Sequence, residues 1–203
     1  MKLKSHLVFP TTIWTVDLSE LSPHFEQWRS RIDALRSSQE ASRGRSTRLG
    51  WSGPKTLFGE PDFVPLQALC REAFSDCLQA MGVPEGFRFG MEAWGNVHDK
   101  GGFNQPHVHR EAILSGSFYL TVPQGSGAIV FHDPRPATLY SRAWGKGVNK
   151  WEKIAFKPKE GTLLIFPNWL EHSVEPHEAD EPRCSIAMNA VLPRPSAPVQ
   201  VQG

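Results

Sequence analysis

Asn104-Gln105-Pro106-His107-Val108-His109, running into Ile113-Leu114-Ser115-Gly116-Ser117-Phe118-Tyr119-Leu120, is the stretch on which the reading of this chain turns. Two imidazoles stand two residues apart, just ahead of a strand-forming run. On an extended backbone, residues i and i+2 point to the same side, so His107 and His109 can aim at one point. Neutral imidazole is the commonest protein metal ligand near physiological pH. The pair is a metal-site expectation that needs a third ligand from elsewhere. His172 is the candidate: it follows the apolar run Leu163-Leu164-Ile165-Phe166 and a proline turn, then begins a new strand. A His-x-His pair alone is more often hydrogen-bonded than ligating. The metal reading rests on His107, His109, His172 and, farther on, Arg183 taken together.

Outward from this stretch, the second half of the chain reads as short strands separated by turns. Strands are expected at 87–97, 114–122, 128–134, 151–157, 162–166, 171–175 and 183–191, with turns at Asp99-Lys100-Gly101-Gly102 and at 123–127. Residues 135–150 form a long connection. About eight strands, counting one at 7–16 broken by Pro10, indicate a closed or double-sheet all-β architecture. The first half supplies two helices. One carries Leu21, Phe25, Trp28, Ile32 and Leu35 at helical spacing, with Ser19 or Ser22 as its cap. The other opens at Pro61-Asp62, carries Val64, Leu66, Leu69, Ala73, Phe74, Leu78 and Met81, and ends at Gly82. These helices are expected to cover one sheet. Residues 37–49, rich in Arg and Ser, read as a mobile loop, and 51–61 as irregular. The whole is expected to be one domain over 1–192, helical over 17–82 and β over 86–192, with a disordered Pro-rich tail at 193–203.

At 203 residues the chain can bury a real core. Its net charge of +1 comes from 22 basic and 21 acidic residues, which gives no electrostatic case for nucleic acid or an anionic membrane surface. No apolar run approaches the ~20 residues that span a bilayer, and the N-terminus lacks the apolar segment of a signal peptide. The three cysteines, Cys70, Cys77 and Cys184, match no zinc-type spacing and read as reduced core thiols of a cytoplasmic protein. The first helix and the aromatic N-terminal strand leave room for a homodimer.

Arg183 opens the strand Arg183-Cys184-Ser185-Ile186-Ala187-Met188-Asn189. A buried strand that begins with arginine needs a reason, and a guanidinium forks onto a carboxylate bidentately. Ser185 presents a hydroxyl from the same face. The competing reading is an ion pair with Glu92 or Glu171. His6, His24, His98, His132 and His177 read as non-ligands, with His132-Asp133 the pair placed to reach a pocket rim. Trp94, Trp144, Trp151 and Trp169 read as core or rim packing, and Arg43, Arg45 and Arg48 as a solvated cluster.

These residues resemble those of the iron(II)/2-oxoglutarate-dependent oxygenases, and within them a bacterial and phage group with a His-x-His motif. The resemblance runs from Phe9-Pro10-Thr11 to Asn189. It is carried by Trp94-Gly95-Asn96, Gly101-Gly102-Phe103-Asn104, His107-Val108-His109, Leu114 to Leu120, Asp133-Pro134-Arg135, Glu160-Gly161-Thr162 through Phe166-Pro167, Glu171-His172-Ser173-Val174 and Arg183-Cys184-Ser185.

The resemblance implies a double-stranded β-helix (jelly roll, cupin-like). It implies iron(II) as metal, with 2-oxoglutarate and O2 as cosubstrates. His107 takes the first and His172 the distal iron-ligand position. Arg183, assisted by Ser185, takes the position that binds the far carboxylate of 2-oxoglutarate, with Tyr119 and Asn96 as weaker cosubstrate contacts. The implied activity is a dioxygenase that hydroxylates a small molecule, an amino acid or a peptide side chain, releasing succinate and CO2. One departure matters: the superfamily usually has a carboxylate where His109 stands. Three answers are open, namely His109 itself, a nearby Glu111 or Asp133, or water or chloride; His109 is favoured. Two rival readings follow. One is a three-His iron dioxygenase that does not use 2-oxoglutarate, in which Arg183 has no assigned job. The other is a non-catalytic jelly-roll binding protein. The 99–102 turn and the 135–150 connection are the expected lids.

Overall fold

In the computed structural model, which describes residues 3–40, 46–135 and 153–193, strand β3 (Gly90–His107) has three different partners along its length. The other strands are β1 (Trp14–Asp17), β2 (Thr47–Ser52), β4 (Ala112–Thr121), β5 (Ile129–His132), β6 (Lys153–Phe156), β7 (Thr162–Pro167), β8 (His172–Val174) and β9 (Arg183–Val191). All pair antiparallel in the order β1-β7-β4-β9-β3-β8-β5-β6, with β2 added to β3. The sheet curls into a half-barrel, the jelly roll expected from the strand pattern.

The turn expected at Asp99-Lys100-Gly101-Gly102 is instead a bulge within β3. Gly50 of β2 faces His98 and Arg48 faces Phe103, so one residue of β2 is matched by four of β3. Gly101 takes φ +82°, a conformation only glycine adopts readily. The bulge is pinned by two backbone hydrogen bonds: Gly101 N–H donates to the His177 carbonyl at 2.6 Å and His177 N–H to the Gly102 carbonyl at 2.9 Å. Before the bulge β3 pairs with β9; after it, with β8. The chain thereby crosses from one layer of the roll to the other.

Alternation divides the side chains between two environments. On β9, Cys184, Ile186, Met188 and Ala190 join the core beneath the helices, while Arg183, Ser185 and Ala187 line an interior cavity. On β4, Leu114, Phe118 and Leu120 go to the core, and Ser117 and Tyr119 to the cavity. On β3, Ala93 and Val97 alternate likewise with Trp94, Asn96 and His98.

Helix α1 (Phe25–Ser38) buries Trp28, Ile32 and Leu35, and helix α2 (Val64–Ala80) buries Leu66, Cys70, Phe74, Cys77 and Leu78. The Trp28 indole N–H donates to the Asp62 carbonyl at 2.8 Å, and its ring stacks on Phe63, 5.7 Å between centroids. Those contacts join α1 to the entry of α2, over the β4–β9 face. Neither Ser19 nor Ser22 caps α1. Both lie in a preceding 3-10 turn (Ser19–His24), and His24 stands at the cap with no side-chain bond. The loop expected at 37–49 is also corrected: Ser37 and Ser38 end α1, and Thr47 opens β2. The opening strand is shorter than expected, Trp14–Asp17 only. Arg43, Arg45, Trp144, Trp151, the 136–150 connection and residues 194–203 lie outside the described residues. Among those described, no helix is long and apolar enough to cross a membrane.

Candidate active site

Sheet register builds the centre of the site. His107, the last residue of β3, lies opposite His172, the first of β8. His109 lies two residues farther on. It is fixed to the turn after β7, where its N–H donates to the Asn168 carbonyl at 3.0 Å and the Asn168 amide donates to the His109 carbonyl at 3.2 Å. One ring nitrogen from each of His107, His109 and His172 lies within 4.8 Å of the others. Among the described residues no carboxylate joins the cluster. Glu111 is exposed, and Asp133 pairs with Arg135 and lines a different cavity.

Tautomers follow from the outer bonds. His107 Nδ1 lies 2.8 Å from the Gln105 carbonyl, and His172 Nδ1 lies 2.9 Å from the Leu170 carbonyl. A carbonyl only accepts, so both Nδ1 atoms carry protons and both Nε2 atoms present lone pairs. His172 Nε2 lies 3.3 Å from His109 Nε2, and Ser46 Oγ lies 3.3 Å from His107 Nε2. Burial lowers the His172 pKa well below the ordinary value, helped by the other two imidazoles, and burial also lowers that of His107. Converging ring nitrogens, with His107 and His172 held neutral by burial, are what a divalent first-row metal ion needs. The residues fit such an ion.

The same cavity, of about 240 Å³, extends from the imidazoles to Arg183. All seven residues singled out from the sequence line it: His107, His109, His172, Arg183, Ser185, Tyr119 and Asn96. Asn96 and Tyr119 flank Ser185 on the neighbouring strands, giving a polar row across β3, β9 and β4. Arg183 is 2% exposed, yet among the described residues it has no carboxylate partner. Glu92, one of the two partners considered, binds Lys55 at 2.6 Å instead. The guanidinium lies over the Tyr119 ring, 5.3 Å from its centroid. Arg183 Nε, the Tyr119 hydroxyl and the Asn96 side-chain amide oxygen Oδ1 are buried with no hydrogen-bond partner among the described residues. Leaving such groups unpaired is costly, and Arg183 Nε and the Tyr119 hydroxyl can both donate to the oxygens of a small ligand, whereas Asn96 Oδ1 only accepts. A carboxylate fits the guanidinium best. Ile129 and Phe166 form an apolar wall, continued by Phe131 and Leu170.

One cavity residue was not anticipated. His98, dismissed in the sequence as a non-ligand, is 1% exposed and touches Arg183. Its partner across the ladder is 85 positions away in the chain, and nothing local signals that pairing. His132 binds Ser173 at 3.0 Å and lines the cavity beside β5 with Asp133.

Residues 92–189 match the model of a family described as "Putative 2OG-Fe(II) oxygenase". No curated protein sequence matches the chain. Several solved structures share the fold at low identity. A Pseudomonas putida prolyl-4-hydroxylase is 15% identical with a TM-score of 0.62, covering 90% of this chain and 94% of that one. A Trichoplax adhaerens prolyl hydroxylase, in complex with a hypoxia inducible factor peptide, is 14% identical with a TM-score of 0.63, covering 88% and 83%. The epimerase SnoN from nogalamycin biosynthesis, in complex with Fe3+ and alpha ketoglutarate, is 15% identical with a TM-score of 0.64, covering 90% and 79%.

Proposed function

We propose that the chain, whose residues 92–189 match the model of the 2OG-Fe(II) oxygenase family, is an iron(II)- and 2-oxoglutarate-dependent hydroxylase. His107, His109 and His172 hold the metal, and Arg183 anchors the far carboxylate of the cosubstrate. The substrate is a small molecule, an amino acid or a peptide side chain. The observation that carries this reading is Arg183: a buried cation with no carboxylate partner among the described residues, in the cavity of three converging imidazoles.

When bound, iron(II) with 2-oxoglutarate and O2 would supply the oxidising power for a substrate C–H bond, 2-oxoglutarate leaving as succinate and CO2. The chain's own residues do the rest. Backbone carbonyls of Gln105 and Leu170 keep Nδ1 of His107 and His172 protonated, so Nε2 is presented to the metal. Arg183 attracts the dicarboxylate and fixes its direction, and Ser185, Tyr119 and Asn96 supply hydrogen bonds around it. Phe166, Ile129, Phe131 and Leu170 exclude water from one side. Epimerisation, the reaction named for SnoN, is the competing outcome. The two differ in product: hydroxylation adds one oxygen atom, whereas epimerisation leaves the mass unchanged.

The test is succinate release from 2-oxoglutarate with iron(II) and O2, with and without candidate substrates, and mass analysis of the product. Iron-dependent succinate that is lost in Arg183→Ala and His172→Ala supports the reading. Turnover unaffected by Arg183→Ala contradicts it.

A further inference from the structure

Buried arginines usually sit against carboxylates, because an uncompensated charge in a low-dielectric interior is costly. Arg183 instead donates from Nη1 to Nδ1 of His98 at 3.0 Å. A guanidinium only donates, so His98 Nδ1 accepts and its proton sits on Nε2. Burial, reinforced by the Arg183 charge, lowers the His98 pKa to about 3, so the ring is neutral. The contact therefore orients the cation without cancelling it.

His98 is itself held tightly. It faces Arg183 directly in the β3–β9 ladder. A Cβ built on Gly50 would come within 3.0 Å of His98 Cδ2 and 2.6 Å of the Val97 carbonyl. A Cβ on Gly102 would reach His98 Cβ at 3.0 Å. Gly50 thus lets β2 close on the imidazole and Gly102 lets the bulge close on its Cβ, and closely packed surroundings of this kind fix a side chain's position.

We propose that His98 is a positioning residue for the cosubstrate pocket: it fixes the Arg183 guanidinium through a neutral acceptor and so reserves the full positive charge for a ligand carboxylate. This rests on the reading of Arg183 as the anchor for 2-oxoglutarate. A carboxylate at position 98 would hold the arginine equally well but occupy its charge, trading ligand affinity for internal stability.

The experiment compares His98→Asn, His98→Asp and His98→Leu with the parent chain. Calorimetry of 2-oxoglutarate into Mn(II)-loaded protein reads the pocket without turnover, Mn(II) affinity reads the metal centre, and thermal melting reads the fold. Asn and Asp are nearly the same shape and differ in charge, so that pair decides. His98→Asn should bind 2-oxoglutarate within about threefold of the parent, His98→Leu about tenfold more weakly, and His98→Asp more weakly still. His98→Asp should nevertheless melt no lower than His98→Asn, and Mn(II) affinity should be unchanged throughout. A merely structural role would move melting and binding together. If the parent binds 2-oxoglutarate and His98→Asp binds it as tightly, the proposal is overturned while the cosubstrate reading stands. If the parent binds Mn(II) but no 2-oxoglutarate, both are overturned.

Discussion

His107 and His172 face one another across the β3–β8 ladder with ring centroids 4.2 Å apart. Two of the three imidazoles are therefore set by strand register, the strongest constraint a sheet offers. His109 is set by the loop beyond, through Asn168.

That difference predicts how the proposed metal site responds to mutation. His107→Ala and His172→Ala should each lower Mn(II) or Fe(II) affinity by about 100-fold or more. His109→Ala should cost about tenfold, and His109→Asp, which restores the usual carboxylate, should bind at least as tightly as the parent. Competition with a chromogenic chelator measures all four. His109→Ala with parental affinity would remove His109 from the ligand set.

The contact of β4 with α2 leaves no room at Gly116. A Cβ there would lie 2.9 Å from Phe74 Cζ and 3.0 Å from the Leu164 carbonyl. Gly116→Ala should destabilise the fold by about 1–3 kcal/mol through overpacking. Denaturant unfolding checks this, and an unchanged midpoint would contradict the packing described.

The three thiols should be silent in the native state. Cys70, Cys77 and Cys184 are free and buried. Burial raises the Cys77 and Cys184 pKa values to about 12, and pushes that of Cys70 up as well. Since the thiolate is the reactive form, a thiol reagent at pH 8 should label the folded chain slowly and all three sites after denaturation. Rapid labelling of the native protein would contradict this.

His98 also predicts acid behaviour. Its folded pKa lies far below the ordinary histidine value, so the unfolded chain takes up the proton first. The stability it contributes is fully present above about pH 6.5 and is lost as the pH falls toward the folded value. One such proton gives a slope of at most about 1.4 kcal/mol per pH unit. His98→Asn should flatten that slope in denaturant titrations between those limits. Identical slopes would show that His98 is not held neutral in the folded chain.

The strands that carry the chemistry were legible because their side chains alternate cleanly: Arg183 and Ser185 against Cys184 and Ile186, Ser117 and Tyr119 against Phe118 and Leu120. Period two announces both the strand and the face. β2 was not legible, since Thr47-Arg48-Leu49-Gly50 shows no alternation and becomes a strand only by pairing with β3. The Gly101-Gly102 dipeptide has the chemistry of a turn, and only the hydrogen bonds to His177 make it a bulge. His98 was missed for the same reason: its meaning comes from a residue far along the chain.

The most direct measurement is an anaerobic titration of iron(II) and 2-oxoglutarate into the protein, following the weak visible charge-transfer band of the iron chelate. A band that saturates at one iron per chain and is absent in His107→Ala and Arg183→Ala is the predicted result. Iron binding with no band in the presence of 2-oxoglutarate would contradict the assignment of Arg183 and, with it, the proposed reaction.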